Sequence, residues 1–199
     1  MHTILKQNIL SNFAGQFNAS TTINSNRMDI IKKIILFLSI ITASGLFMVT
    51  IYNSIVDAKS WGADIPASIQ AARDYYKHVD PRNFFVIVGP VNQLLILLTL
   101  IFFWKDSVSL RLYFAISFLL YAIIVVLTLA YFIPRDLILF SAPMEGHIEQ
   151  IKTSFSQWSY MNWLRTLLGL AGILFSFKGL DSYYKLRFRQ MKPASDSKV

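Results

Sequence analysis

Cysteine is absent from the 199 residues. Its absence excludes disulfides, thiolate metal sites, iron–sulfur clusters and cysteine nucleophiles, and leaves the redox compartment unreadable. Charge is scarce as well. Asp, Glu, Lys and Arg make up 15% of the chain, against about 25% in ordinary soluble domains. Histidine occurs only as His2, His78 and His147, outside every apolar run, so a haem held between intramembrane histidines is excluded. His78 and His147 lie near Asp80, Glu145 and Glu149 in sequence, yet the spacing matches no metal-ligand pattern, and no metal is expected. No phosphate loop, dinucleotide glycine pattern, nucleophile elbow or zinc-binding helix is present.

What is abundant is apolar: 54% of the residues, with a mean hydropathy of +0.47. Four stretches carry almost no charge, at about 34–53, 84–104, 112–133 and 161–179. Each is long enough at about 1.5 Å per residue to cross a hydrocarbon core roughly 30 Å thick. The sequence therefore predicts an all-α membrane protein, a four-helix transmembrane bundle over residues 28–184. Residues 1–27, rich in Asn, Ser and Thr, are expected to be a disordered tail, and 185–199 a basic C-terminal tail. A translation start at Met28 would give a conventional membrane-protein beginning. Lys32-Lys33 followed by Thr42-Ala43-Ser44 also suits a cleavable signal, but the apolar run continues well past that point, which favours retention. Gly89-Pro90 predicts a kink in the second span, and Pro134 ends the third. The first outer loop should hold a short amphipathic helix. Asp64 would cap it, Pro66 suits its first turn, and Ile65, Ile69, Ala72, Tyr76 and Val79 share a face opposite Gln70, Arg73, Asp74 and Lys77. Such a helix either lies on the bilayer surface or covers the outer mouth of the bundle.

The net charge of +8 does not point to nucleic acid, because the basic residues flank the apolar runs. The two tails and the 105–111 turn hold twelve Lys and Arg, the 54–83 and 134–160 loops six. The positive-inside rule puts both termini in the cytoplasm, and the plasma membrane is the expected location.

Small or polar residues recur at three- and four-residue steps in each span, as inward faces of packed membrane helices require. They are Ser39, Thr42, Leu46, Val49 and Asn53; Phe85, Gly89, Asn92, Ile96 and Thr99; Ser117, Tyr121, Ile124, Thr128 and Tyr131; and Trp158, Asn162, Arg165, Gly169, Gly172 and Ser176. Most hydrogen-bonding groups fall in the outer half, which predicts an outward-facing polar pocket. Arg165 is its most informative member. A charge within a span is costly, so Arg165 either snorkels outward, holds an anionic or carbonyl-bearing ligand, or pairs with Asp136, Glu145 or Glu149. Asn92 and Gln93 either satisfy backbone groups freed by the kink or contact a ligand. The candidate ligand-binding residues are thus Arg165, Asn162, Trp158, Asn92 and Gln93, with no catalytic residue selected.

The run Trp158-Ser159-Tyr160-Met161-Asn162-Trp163-Leu164-Arg165 resembles the tryptophan–asparagine–arginine signature of the anthrone oxygenase-like membrane protein family, a domain of otherwise unknown function. Gly45-Leu46-Phe47, Asp80-Pro81-Arg82-Asn83 and Ile133-Pro134 are similar too, so the resemblance spans roughly 34–180. The long first outer loop and the N-terminal tail depart from it. The resemblance implies a four-span bundle and, from some fungal members, oxidation of an anthrone to an anthraquinone without metal or flavin. Trp158, Asn162 and Arg165 carry over as site candidates, no cofactor is expected, and a loop His or carboxylate would be the base. Three functions compete. One is binding, with or without oxidation, of a small hydrophobic anthrone- or quinone-like molecule. The others are a small transporter component and an assembly partner of another membrane protein, with a homo-oligomer compatible with each.

Overall fold

The computed structural model describes residues 2–78 and 80–191. Every regular element among them is helical: α1 (His2–Tyr52), α2 (Ala58–Trp61), α3 (Ala67–Tyr76), α4 (Arg82–Phe103), α5 (Val108–Leu127), α6 (Ile133–Ser141) and α7 (Ile148–Met191). A π turn, Asn53–Asp57, joins α1 to α2, and a second, Thr128–Phe132, joins α5 to α6. Four helical segments are long and apolar enough to cross a membrane: Arg27–Trp61, Arg82–Phe103, Val108–Ser141 and Ile148–Gln190. The chain is a multi-pass helical membrane protein.

Around the bundle α1 packs on α4 and α7, and α5 packs on the same two, so α4 and α7 face each other diagonally. One end, here the capped end, carries the connections through α2–α3 and α6. The other, the terminal end, carries the α4–α5 turn. Toward the terminal end Leu36, Ile40, Leu100, Phe103, Leu110, Phe114 and Tyr183 form an apolar cluster. Ala43, Ile96, Tyr121 and Ile173 form a second. Outward positions are large and apolar, including Ile41, Val86, Ile101, Val126 and Leu167, which suits contact with lipid rather than water.

The α5–α7 seam is drawn tight by glycine. A Cβ at Gly172 or Gly179 would overlap the rings of Tyr121 and Phe114. Close approach lets side chains reach the facing backbone: Tyr121 donates to Gly169 O (3.1 Å), and Ser117 to Gly172 O (3.0 Å) while meeting Ser176 Oγ at 2.8 Å. At the terminal end Lys32 pairs with Asp106 (2.7 Å), Arg187 pairs with Asp29, and Ser107 caps α5 by accepting from Leu110 N.

Several details differ from expectation. The third span does not end at Pro134. Proline lacks the N–H that would bond one turn back; the chain re-spaces its ladder in the π turn just before, Arg135 donates to Tyr131 O (2.9 Å), and the helix resumes as α6. The fourth begins at Ile148 rather than near 161, because Ile151, Ser154 and Trp158 give its polar-looking start a buried face. α1 begins at His2, so residues 2–27 continue the first helix; extending a helix is far easier than nucleating one. The helix of α7 likewise continues through 185–191, while 192–199 lies outside the described residues. Finally, α3 has no side-chain cap: Asp64 accepts from Ser68 N through its backbone oxygen.

α3 sits over the capped end. Ile69 is fully buried there among Ala58, Trp61, Phe132, Leu139, Ile151 and Trp158, with Ile65, Ala72 and Tyr76 packed against them. Val79 lies outside the described residues. Arg73, expected on the solvent face, instead donates from Nε to Leu139 O (2.8 Å), since the last carbonyls of α6 need donors.

Candidate functional site

Asn162 and Arg165 lie one turn apart on the inward face of α7. Asn162 is 0% exposed and uses its whole amide. Its Nδ2 donates to Thr50 O (3.1 Å) and to Ser54 Oγ (2.6 Å), and its Oδ1 accepts from Arg165 Nη2. The Thr50 carbonyl can only accept, which fixes the amide's orientation. Ser54 also donates to Thr50 O (3.1 Å). Thr50 and Ser54 flank the start of the first π turn, Asn53–Asp57.

Arg165 is 7% exposed and does not snorkel. Its guanidinium lies over the Phe132 ring at 4.1 Å and near the Phe85 ring at 5.6 Å, within cation–π range. Phe132 closes the second π turn. No carboxylate pairs with Arg165 within 4 Å among the described residues, and its buried Nε has no hydrogen-bond partner. The negative charge whose field reaches it is Asp136 on α6; Glu145 and Glu149 are exposed.

An aromatic column continues outward from Arg165. Phe132 packs on Trp158 (5.9 Å), Trp158 on Trp61 (5.1 Å), and Trp61 on Phe140 (5.0 Å) and Tyr76 (6.2 Å). Burial and the charge of Asp57 push the Tyr76 hydroxyl up to about 12, so it stays neutral. Beside this cap, Asp80 accepts from Arg82 N (2.8 Å) and Nε (2.7 Å) at the start of α4. The Arg82 hydrogen bond holds the Asp80 carboxyl below its ordinary range.

The predicted residues therefore divide. Trp158, Asn162 and Arg165 come together. Asn92 does not join them: buried in the α1–α4 seam, it accepts from Thr42 Oγ1 (3.0 Å). Gln93 is half-buried, with an unpartnered Oε1. Thr50, Ser54, Phe132 and Trp61 were not foreseen. The steps Ser39, Ala43, Thr50 and Ser54 do run at helical spacing, but one position round from the stripe Thr42, Val49 and Asn53. His147 is turned to Glu145 O (2.9 Å) and His78 is exposed; among the described residues no three His, Asp or Glu groups gather as metal ligands.

A buried arginine held by an asparagine and an aromatic column is thus the candidate site of a multi-pass helical bundle. Residues 82–175, from the first turn of α4 into α7, match the family described as anthrone oxygenase, which supports an anthrone oxygenase-like family for the chain. No curated protein matches it, and no solved structure does.

Proposed function

We propose that the chain binds a flat hydrophobic molecule bearing an enolisable carbonyl, anthrone- or quinone-like, at Arg165, and oxygenates it. The supporting observation is the Arg165 guanidinium, nearly buried, free among the described residues of a paired carboxylate within 4 Å and with an unpartnered Nε. A buried cation is costly unless something compensates it. An enolate oxygen is the complementary charge, and the aromatic column of Phe132, Trp158 and Trp61 suits a flat body. Asn92 and Gln93 lie deeper along α4 and belong to the reading only if the ligand reaches past Phe85.

In the reaction a base takes one proton from the anthrone methylene. The resulting carbanion, delocalised onto the carbonyl oxygen, is stabilised by Arg165. Dioxygen is the oxidant: it adds to the carbon with formation of a C–O bond, the peroxide oxygen takes up a proton, and loss of water leaves the anthraquinone. Asp136, whose charge acts on Arg165, is the base of this proposal. The positive-inside count supports a site on the non-cytoplasmic side, with both termini in the cytoplasm, and the plasma membrane is the proposed location.

The test is dioxygen uptake and anthraquinone absorbance by the protein in lipid nanodiscs given an anthrone. Arg165→Gln should lower the rate by about 10²–10³, the usual loss when one donor to a developing oxyanion is removed, while Arg165→Lys should retain part of it. Wild-type protein that neither binds nor oxidises any anthrone, or an Arg165→Gln variant as active as wild type, would overturn the reading.

A further inference from the structure

A hollow of about 410 Å³ lies on the lateral surface between the α1–α2 joint and α7. Ser54, Ile55 and Lys59 form one wall, and Phe155, Ser159 and Trp163 the other. α1 runs toward the capped end and α7 away from it, so Ile55 and Trp163 stand deeper and Lys59 and Phe155 nearer the end. Both helices are spanning segments. A groove opening sideways between them meets the bilayer, and its occupant comes from there.

The polar groups narrow the chemistry. Lys59 is exposed and enters none of the ion pairs among the described residues. The Ser54 hydroxyl is committed to Thr50 O and Asn162, which leaves Lys59 and the Ser159 hydroxyl to receive a ligand. One ammonium and one hydroxyl above two apolar walls fit an anionic oxygen head carried on hydrocarbon. We propose that this groove seats the headgroup of an anionic phospholipid. Lys59 pairs with the phosphate, Ser159 donates to one of its oxygens, and an acyl chain descends along Ile55 and Trp163. The wall residue Ser54 is the hydroxyl that holds Asn162, so the bound lipid steadies the back of the arginine site. The assignment stands apart from the oxygenase reading and is tested by lipid retention rather than turnover.

The experiment is native mass spectrometry of the full chain released from nanodiscs of equal phosphatidylglycerol and phosphatidylcholine. Wild-type protein should retain phosphatidylglycerol preferentially. Lys59→Gln should lower that preference about fivefold, the weight of one lysine near an anionic surface, and Lys59→Arg should keep it. Ser159→Trp, filling the groove, should abolish retention of the lipid. Millimolar inorganic phosphate should leave retention unchanged. Equal retention of the two lipids by wild type, an unaltered preference in Lys59→Gln, or displacement by phosphate would each overturn the proposal.

Discussion

Asn162 binds three partners on two helices, and each depends on it differently. Thr50 O keeps its bond from Ser54 without it, whereas the Arg165 guanidinium loses its one hydrogen-bond acceptor among the described residues. Asn162→Leu should therefore lower stability by about 1–3 kcal/mol, the cost of stranding a buried polar group, measured as a shift in thermal unfolding in detergent. Asn162→Asp keeps an acceptor for the arginine but turns a carboxylate oxygen on the Thr50 carbonyl, and should recover only part of the loss. Glycine acts by a different route on the same helix. Gly172→Ala drives a methyl into the Tyr121 ring and should cost about 1–3 kcal/mol through overpacking, whereas Gly45→Ala, with nothing within 4 Å of the added carbon, should be silent in the same assay. Trp158, Asn162 and Arg165 were legible in sequence because polar and aromatic residues inside an apolar run stand out and their spacing keeps one face. Thr50 and Ser54 were not, since hydroxyls are common in membrane helices and most bond only their own backbone, as Thr128 does to Ile124 O.

Among the elements, α4 starts where Asp80 accepts from the Arg82 amide and side chain, which gives the Asp80-Pro81-Arg82-Asn83 sequence a structural role as a helix start. The carboxyl's folded value is lowered, so its contribution is present above the ordinary aspartate value, about 3.9, and is lost as pH falls through the lower folded one. Thermal stability in detergent should fall more steeply below about pH 4 in wild type than in Asp80→Asn. The second π turn carries a prediction of another kind. Pro134→Ala restores the missing N–H and permits a regular helix, which would rotate Phe132 away from Arg165. Ligand affinity should fall while thermal stability holds or rises, and an unchanged affinity would separate Phe132 from binding. Spans were readable from hydropathy, yet the continuation through Pro134 and the early start of α7 were not. Both lie beyond the uncharged runs, where burial comes from packing on α2 and α3 rather than from lipid.

For the molecule as a whole, four apolar helices and a lysine-rich terminal end agree with a bundle inserted in one direction. The missing cysteines make this easy to check, since a single introduced thiol reports alone. Position 147 changed to cysteine should label with an impermeant maleimide on intact cells, and position 105 only after permeabilisation. The opposite pattern would invert the proposed topology. Distribution of polarity along the bundle was visible in the sequence; enclosure was not, because α3 and α6 close the capped end through contacts far apart in the chain. The cover helix was foreseeable as an amphipathic segment, and its apolar face did not say whether lipid or protein would receive it.

Each π turn amounts to one inserted residue in an otherwise continuous helix. Every position beyond it is rotated by about 100° relative to the unbroken periodicity. A comparison of this chain with any relative that lacks the insertion must open a one-residue gap near 53–57 and another near 128–132. Without those gaps, Ser54 would be matched to a lipid-facing position and Phe132 to its neighbour Tyr131, and the arginine's surroundings would vanish from the alignment although they are present in the fold.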